Sequence, residues 1–321
     1  MTLFEQIKSI PKVDMHINLT SSISTDLAFD LSTDENMADI ISKMQEKNPM
    51  EYVNALKLPV KILKTNKNII LAVNDLIDKL INNNVIYGEL FLDLPLYNHH
   101  IDEEKLLDLV LDVIKSREVN LQVVLVLSSS KEKEENLHTL EIFEKYYKAG
   151  VNGIYFHKDK MDNLADYMYL FDRLIKNNYP YILNMNSKMT SQDKDIYLNA
   201  SRIIYALSIL DDGIINDIRN NDIMLEFALT RFYESNIISD FKEYFVYDLI
   251  RDNTKITLTS MDMTTINTNI INEWCIMFNN YPIVLHDLVK IINYNLLRAN
   301  ISSELKDKLI LEFKEKSNLI L

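Results

Sequence analysis

A short polar run near the amino terminus has the residue types and spacing of half a metal site. Residues 11–19 read PKVDMHINL, which places His16 and Asn18 two positions apart. In a β-strand, residues i and i+2 face the same side, so a His-x-His pair can bind one metal ion from that side. Here Asn18 stands where the second imidazole would be. His16 is therefore the one residue of the pair that is a metal ligand of normal strength.

The elements that must position this run follow from the hydrophobic pattern of the chain. Short β-branched runs alternate with longer amphipathic segments, which is typical of repeated βα units around a parallel sheet. The predicted strands are Val13–Leu19, Val85–Leu92, Leu121–Ser128, Gly153–His157, Tyr179–Asn184, Arg202–Leu207, Ile223–Leu229 and Ile256–Ser260. Helices are predicted over Asp102–Arg117, Leu137–Lys148 and Leu164–Lys176.

Eight strands with intervening helices predict an α/β fold, a single (β/α)8 TIM barrel over residues 1–321. In such barrels the reactive groups lie at the carboxyl ends of the strands. Residues 24–83 are predicted to be a helical insertion after the first strand that caps this face. The alternative is a doubly wound open sheet, which needs a glycine-rich first turn. The chain has four glycines, and their positions do not form a phosphate-binding loop.

Composition excludes several classes of partner. The net charge of −13 argues against nucleic acid, because phosphate backbones are bound by clustered Lys and Arg. The amino terminus lacks the features of a signal peptide, and no apolar run approaches the roughly 20 residues of a membrane span. We therefore expect a cytoplasmic protein with no membrane partner. The single cysteine, Cys275, excludes an internal disulfide and is expected to be a small buried hydrophobe.

Four strand motifs resemble those of one family. The run PKVDMHINLTSS resembles P-K-x-[DE]-L-H-x-H-L-x-G-S, and residues 87–91, YGELF, resemble Y-x-E-x-R with Phe91 in place of the arginine. Residues 150–154, GVNGI, begin like G-V-x-G-[IF]-D-L-A-G. Leu225 and Glu226 begin like L-E-x-C-P-x-S-N, after which only Thr230 matches. From Pro11 to about Asn300, the chain resembles the adenosine deaminase family of metal-dependent amidohydrolase barrels.

The resemblance implies which positions would carry chemistry, and most of them are altered. For H-A-G-E at the fifth strand the chain reads N-M-N-S, so Asn184 replaces a metal-binding histidine and Ser187 replaces the glutamate that protonates the purine. For R-I-G-H-G at the sixth strand it reads R-I-I-Y-A, with Tyr205 at the histidine that helps to activate water. At the eighth strand Met261 replaces the metal-binding aspartate, and Asp262 is kept.

Hydrolytic deamination needs three groups, and the altered positions do not supply them. A metal must lower the pKa of bound water from about 16 toward 7, an acid must protonate the ring, and a base must take the proton of water. Asn18 and Asn184 offer weak neutral oxygens, and the thioether of Met261 suits copper(I) rather than zinc. No metal cofactor is therefore expected.

Glycine losses point in the same direction. The family pattern keeps glycine where the backbone approaches ligand and metal closely. The corresponding residues here are Ser21, Lys158, Asn186, Ile204 and Ala206. Side chains are therefore expected to fill space that an active pocket would keep open.

The retained and gained polar residues each have two interpretations. His16 is either a hydrogen-bonded barrel histidine or a ligand contact, and Asp262 either caps the helix after the last strand or contacts ligand. His157 and Lys158, at the end of the fourth strand, belong either to a structural ion pair or to a rebuilt polar site. The candidate ligand-binding residues are His16, Asn18, His157, Lys158, Asn184 and Asp262.

The sequence predicts a pseudoenzyme that keeps the barrel and has lost the metal, the acid and the base. It is expected to bind a small polar or nucleoside-like ligand, or a protein partner such as a homologous chain. One alternative is an active, zinc-dependent purine-nucleoside (adenosine) deaminase with a rearranged site. Another is a metal-independent enzyme that uses His157, Lys158 and Asp262, which requires these groups to converge in one cavity.

Overall fold

A computed structural model of the chain describes residues 1–32, 59–98, 100–158, 163–185, 193–204, 212–243 and 245–318. Eight parallel strands form one sheet in the order β1 to β8. They are β1 (Lys12–Asn18), β2 (Val85–Leu92), β3 (Leu121–Ser128), β4 (Val151–His157), β5 (Tyr181–Asn184), β6 (Arg202–Ile204), β7 (Met224–Phe227) and β8 (Ile256–Leu258). The predicted (β/α)8 TIM barrel is confirmed.

The predicted strand bounds agree with the structure for some strands and are too long for others. The predicted ranges of β2 and β3 agree with the structure at both ends. The prediction for β7 is too long, because Leu229 already begins a helix and short buried apolar runs look alike in either element. The prediction for β8 also runs past Leu258 into an irregular turn, and the sixth predicted strand extends beyond the described residues after Ile204.

A register shift in β1 lies between Asp14 and Ile17, the stretch that contains His16. Asp14 pairs with Gly88 and Ile17 pairs with Leu90, so β1 advances three residues while β2 advances two. An extra residue of this kind bends the strand and changes the direction in which side chains project. His16 therefore lies in a part of β1 where the backbone departs from regular pairing with β2.

The barrel closes between β1 and β8 by one isolated bridge. Ile17 pairs with Met261, where the Asn18 amide donates to the Met261 carbonyl at 2.9 Å and the Met261 amide donates to the His16 carbonyl at 2.9 Å. Met261 takes a left-handed backbone conformation, with φ of 56°, that is uncommon for a residue with a side chain. Met261, where the family pattern has a metal-binding aspartate, thus connects the first strand to the end of the last through backbone hydrogen bonds.

Side chains reinforce this join. The buried Asp14 accepts from Thr259 Oγ1 at 2.8 Å and from the Ser260 amide at 3.1 Å, and the Ser260 hydroxyl donates to it as well. Burial raises the pKa of Asp14 to about 6 even though these donors oppose the shift. Asp14 therefore fastens the first strand to the residues that follow the last.

Helices surround the sheet. They are α1 (Leu3–Ser9), α2 (Leu19–Ser22), α3 (Thr25–Leu31), α4 (Asn66–Asn82), α5 (Glu103–Ser116), α6 (Lys133–Tyr146), α7 (Met168–Lys176), α8 (Lys194–Leu198), α9 (Asp212–Asn220), α10 (Leu229–Glu234), α11 (Val246–Arg251), α12 (Ile270–Asn280), α13 (Leu285–Arg298) and α14 (Ser303–Asn318). In α5 the predicted apolar face is buried, and Asp102 caps its start by accepting from the Lys105 amide at 3.0 Å. The predicted helix from Leu137 starts too late, because polar residues from Lys133 onward already form its first turn.

The predicted insertion over residues 24–83 is described in part. Its two ends form α3 and α4, whereas residues 33–58 lie outside the described residues. The ends are tied together, since the Ser24 amide donates to Asp75 Oδ2 at 2.8 Å and the Ser24 hydroxyl donates to Asp75 Oδ1 at 2.7 Å. The division of the chain into one barrel domain with a helical cap stays a prediction.

Two further expectations concern burial and membranes. Cys275 is only partly buried, so the expectation of a buried residue is wrong. Its neighbour Trp274 faces the core, whereas Cys275 lies on the wall of a surface groove. Within the described ranges, no helix is long and apolar enough to cross a bilayer.

Candidate functional site

A cavity of about 600 Å³ with a mixed polar and apolar wall opens at the carboxyl ends of the strands. Of the candidate ligand-binding residues, His16, Asn18, His157 and Asp262 line it. Its volume is within the range of small-molecule sites. The cavity lies where the barrel fold places reactive groups, so it is the candidate functional site.

His16 is fixed from two sides. Its ring stacks on Phe91 with centroids 3.5 Å apart and planes 8° apart, and its Nδ1 lies 2.6 Å from Glu226 Oε1. Tyr155 packs edge-on against the same ring at 5.4 Å. Burial lowers the pKa of His16, and this effect outweighs the opposing influence of Glu226. The neutral imidazole therefore donates from Nδ1 to Glu226.

Glu226 connects His16 to a buried ion-pair chain across the barrel core. Arg202 Nε lies 2.7 Å from Glu226 Oε2, close enough for an ion pair although the atoms are not aligned for a hydrogen bond. Arg202 Nη2 donates to Glu89 Oε2 at 2.8 Å and to the Met15 carbonyl at 2.7 Å. Burial alone would lower the pKa of Arg202, but Glu89 and Glu226 together raise it above its usual value. This chain anchors His16 to three other strands.

Asp262 is surrounded by hydrogen-bond donors. Asn18 Nδ2 donates to its Oδ1 at 2.6 Å, and the Ser21 hydroxyl donates to the same oxygen. Arg231 Nη1 forms an ion pair with Oδ2. The carboxylate, which is fully buried, thus accepts from Asn18 and Ser21 and pairs with Arg231.

Arg231 is a gained charge at the cavity wall. It follows β7 at the position where the L-E-x-C-P-x-S-N pattern has serine, and its side chain is 15% exposed. It lines the same cavity as Asp262. A long cation consequently occupies space beside the one acidic residue that the eighth strand keeps.

A second hydrogen-bonded cluster lies at the ends of β4 and β5. His157 Nδ1 accepts from Asn184 Nδ2 at 2.9 Å and lies 3.3 Å from Tyr155 Oη, while Asn184 Nδ2 also donates to Tyr155 Oη at 3.0 Å. Because Nδ1 accepts, a neutral His157 ring carries its proton on Nε2. Asn184 is buried and does not line the cavity, so His157 is the member of this pair that faces it.

The remaining predicted residues lie elsewhere or outside the described part of the chain. Lys158 is buried, at 4% exposure, and does not line the cavity. His157 and Asp262 both line it, but each belongs to its own hydrogen-bonded cluster. Ser187 and Tyr205 lie outside the described residues. The three residues of the proposed metal-independent site are thus not united on one cavity wall.

The donor set does not fit a zinc ion. Of the four positions that the family resemblance assigns to metal, His16 provides an imidazole whose Nδ1 is bound to Glu226. The Asn18 and Asn184 amide nitrogens face acceptors, and Met261 provides a buried thioether. Zinc requires three or four N, O or S⁻ ligands. In the described part of the chain, no three His, Cys, Asp or Glu side chains are grouped closely enough to share a metal ion.

The rest of the cavity wall combines apolar and polar groups. Lys131 forms an ion pair with Asp93 and donates to the Val126 carbonyl at 3.1 Å, and Ser128 and Ser130 share a hydrogen bond at 2.8 Å. The apolar lining comes from Leu19, Phe91, Pro95, Leu96, Tyr97, Val126, Tyr155 and Met261. Aromatic and aliphatic walls with a few fixed polar groups are typical of small-molecule sites.

The main contacts missed from the sequence are those of Arg231, Glu226 and Tyr155. The sequence contains a signal for Glu226, because charged residues in buried strands must be paired. Glu89, Arg202 and Glu226 lie in three such strands. Arg231 lies two residues after the predicted strand Ile223–Leu229, at the face where sites lie. Its pairing with Asp262, 31 residues away, required the fold.

Fold and site define a (β/α)8 barrel with a pocket of mixed polar and apolar lining at the carboxyl ends of its strands. A sequence model of the adenosine deaminase family matches residues 11–316. The chain belongs to this family.

Curated and structural relatives agree with the family match. An adenosine deaminase of Clostridium kluyveri is 22% identical over 347 residues, covering 100% of this chain and 98% of the relative. A crystal structure of the arabidopsis N6-mAMP deaminase has a TM-score of 0.87 at 17% identity, with 97% and 99% of the two chains covered. Arabidopsis ADAL complexed with IMP has a TM-score of 0.88 at 17% identity, with 99% and 100% covered. At these identities the structural likeness concerns the fold.

Proposed function

We propose that this chain is a non-hydrolytic member of the adenosine deaminase family that binds a small polar or nucleoside-like ligand in the cavity at the barrel mouth. The observation that carries the proposal is the state of the retained polar residues. His16 donates to Glu226, and Asp262 is held by Asn18, Ser21 and Arg231. Both residues are engaged within the protein.

The cavity supports a binding role because it remains open at about 600 Å³ despite these substitutions. Its polar wall presents His157 and Arg231, and its apolar wall includes Tyr97 and Phe91. A flat heterocycle with polar substituents matches this combination of aromatic surface and fixed hydrogen-bonding groups. Because the curated relatives are named adenosine deaminase, we propose a purine nucleoside or nucleotide as the ligand class.

The residues at the four metal positions support the second part of the proposal, that the chain does not hydrolyse its ligand. Activation of water by a metal requires an ion held by several strong ligands, and the positions available provide one imidazole, two amides and a thioether. We therefore propose no metal cofactor and no hydrolytic step. The competing function, an active zinc-dependent adenosine deaminase, is favoured by membership of the family.

Elemental analysis and an adenosine-to-inosine absorbance assay on one preparation separate these functions. The proposal expects substoichiometric zinc and no turnover above buffer, also after incubation with zinc. It further expects saturable binding of a purine nucleoside or nucleotide by calorimetry. One zinc ion per chain together with turnover would overturn the proposal, and so would the absence of binding across a panel of purine nucleosides and nucleotides.

The homologous-partner expectation is tested separately. Mixing the chain with an active homologous deaminase and following the mass of the mixture by light scattering would reveal a mixed assembly. If a mixed assembly forms while no nucleoside binds, the protein-partner function replaces the ligand-binding one.

A further inference from the structure

The two ring nitrogens of His16 have different surroundings. Nδ1 lies 2.6 Å from Glu226 Oε1 and donates to it, so Nε2 carries no proton in the neutral ring and is an acceptor. Among the described residues no group donates to Nε2, and Nε2 is not one of the fully buried polar atoms that lack a partner. Because His16 lines the cavity at the barrel mouth, a bound ligand can reach this acceptor.

The protein fixes the direction of this acceptor. Arg202 Nε lies 2.7 Å from Glu226 Oε2, so the carboxylate that orients His16 is itself held in place. The ring of Phe91 stacks on His16 with the planes 8° apart, which fixes the plane of the imidazole. A flip of the imidazole would take the donor away from Glu226 and leave a buried carboxylate oxygen unpaired. Nε2 is therefore oriented before a ligand binds.

Aromatic rings surround this part of the cavity. Phe91 and Tyr155 both line it, their ring centroids lie 5.3 Å apart, and Tyr155 contacts the His16 ring edge-on at 5.4 Å. A flat heterocycle packs against such a wall better than a sugar does, because sugar hydroxyls would lose their hydrogen bonds to water there. The hydroxyls of Ser128 and Ser130, which suit a sugar better, lie at the end of β3. We therefore place the base of a nucleoside ligand against His16.

We propose that His16 Nε2 selects among purines by accepting a hydrogen bond from an N–H group on the edge of the base. This selection rests on the function proposed above, in which the cavity binds a purine nucleoside or nucleotide. The exocyclic amino group of adenine and the protonated ring nitrogen of hypoxanthine each supply such a donor. Purine riboside has the same ring system and the same sugar, but its base has no N–H group. It therefore leaves Nε2 without a partner at a site from which water has been displaced.

Calorimetric titration of the full chain with adenosine, inosine and purine riboside tests the proposal. Purine riboside is expected to bind about tenfold more weakly than the tighter of the other two, which corresponds to one acceptor left without a donor. If purine riboside binds at least as tightly as both other nucleosides, the selection is wrong and the proposed function stands. If none of the three binds, the selection is also wrong, and titration with the corresponding nucleotides then decides the proposed function.

Substitution of His16 assigns the preference to this residue. His16→Phe keeps a flat ring against Phe91 and removes Nε2, so the three nucleosides should bind with about equal affinity. All three are measured on the same variant, and a purely structural effect of the substitution weakens them alike. His286→Phe is the matched control, since His286 is an exposed residue of α13 that does not line the cavity, and it should keep the full preference.

His16→Asn provides the measurement if the phenylalanine variant does not fold. Its amide can still donate to Glu226 from the position of Nδ1, but it has no atom at the position of Nε2. This variant should also bind the three nucleosides with about equal affinity. A preference of about tenfold for the donor-bearing nucleosides that persists in either folded variant overturns the proposal.

Discussion

Arg231 Nη1 forms an ion pair with Oδ2 of the fully buried Asp262 at the wall of the barrel-mouth cavity. Arg231 stands where the family pattern has serine, and Asp262 is the residue that the family pattern keeps. The pair means that the retained acid is neutralised by a side chain of the protein itself. Asp262 is therefore kept in the sequence, but its carboxylate already pairs with Arg231 inside the protein.

Arg231→Ser is expected to destabilise the fold. The substitution removes the positive charge that pairs with the buried carboxylate of Asp262, and breaking a buried ion pair costs about 3 kcal/mol. Urea unfolding of the variant measures this loss in the free energy of unfolding. Arg231→Ser combined with Asp262→Asn is the matched test, since most of the loss should disappear when both charges are absent. A free energy of unfolding that is unchanged in Arg231→Ser contradicts the ion pair.

Glu226→Gln is expected to destabilise the protein by about 3 kcal/mol. The substitution keeps the shape but leaves Arg202 with Glu89 as its remaining carboxylate and weakens the acceptor of His16. Chemical unfolding monitored by circular dichroism gives the value. Glu141→Gln, at an exposed position of α6, should change stability by less than about 0.5 kcal/mol. Equal effects of the two substitutions would argue against the buried chain.

Glu273 predicts a pH dependence of stability. Burial raises its pKa to about 7, although Thr230 and Thr268 donate to its carboxylate. Because the folded state holds this proton more tightly than the unfolded state, the stabilising contribution is complete below about pH 4.5 and is lost as pH rises through 7. Glu273→Gln should remove this loss.

Unfolding at pH 5 and pH 8 measures the effect of Glu273. The free energy of unfolding of Glu273→Gln should fall less between these two values than that of the parent chain, by roughly 1–3 kcal/mol. The variant can keep its contacts, since the amide accepts from the Thr230 amide and donates to hydroxyl oxygens. Parallel pH profiles of the two proteins would show that Glu273 is ionised throughout.

Chelation gives an independent test of the donor set. A protein stabilised by a bound metal loses the linkage energy RT ln(1 + [L]/Kd) when the metal is removed. We expect EDTA to leave the thermal midpoint and the nucleoside affinity of this chain unchanged. A relative that binds zinc serves as the positive control. A drop of several degrees in this chain on chelation would indicate a site that its donor residues do not suggest.

Much of the fold follows from periodicity, and part of the site follows from motif order. The β2 and β3 ranges are recovered because both are mainly apolar runs followed by polar residues, whereas β7 is overextended because Leu229 is equally apolar in a helix. The strand motifs predict His16 and Asp262 as site residues, and both line one cavity. Asn184 donates to His157 and does not line the cavity itself. This contact is made between β4 and β5, and residue spacing along the chain does not predict it.

The contacts of His16 could not be predicted in the same way. Its partner Glu226 is 210 residues away, and it stacks on Phe91 beside a register shift in β1 that the residue pattern does not predict. Such long-range pairs are fixed by barrel closure and strand register. Their only trace in the sequence is that buried strands contain charged residues which require partners.

The join between the first and last strands has a consequence for the order in which the chain folds. Asp14 binds Thr259 and Ser260 across 245 and 246 residues, and the Ile17–Met261 bridge spans a similar distance. During synthesis, β1 can pair with β2 early, but its other edge stays open until residues near 261 have left the ribosome. An open strand edge is a template for pairing with other chains. The outer edge of β1 is therefore the last strand edge of the barrel to be covered, when the residues near Met261 pair with it.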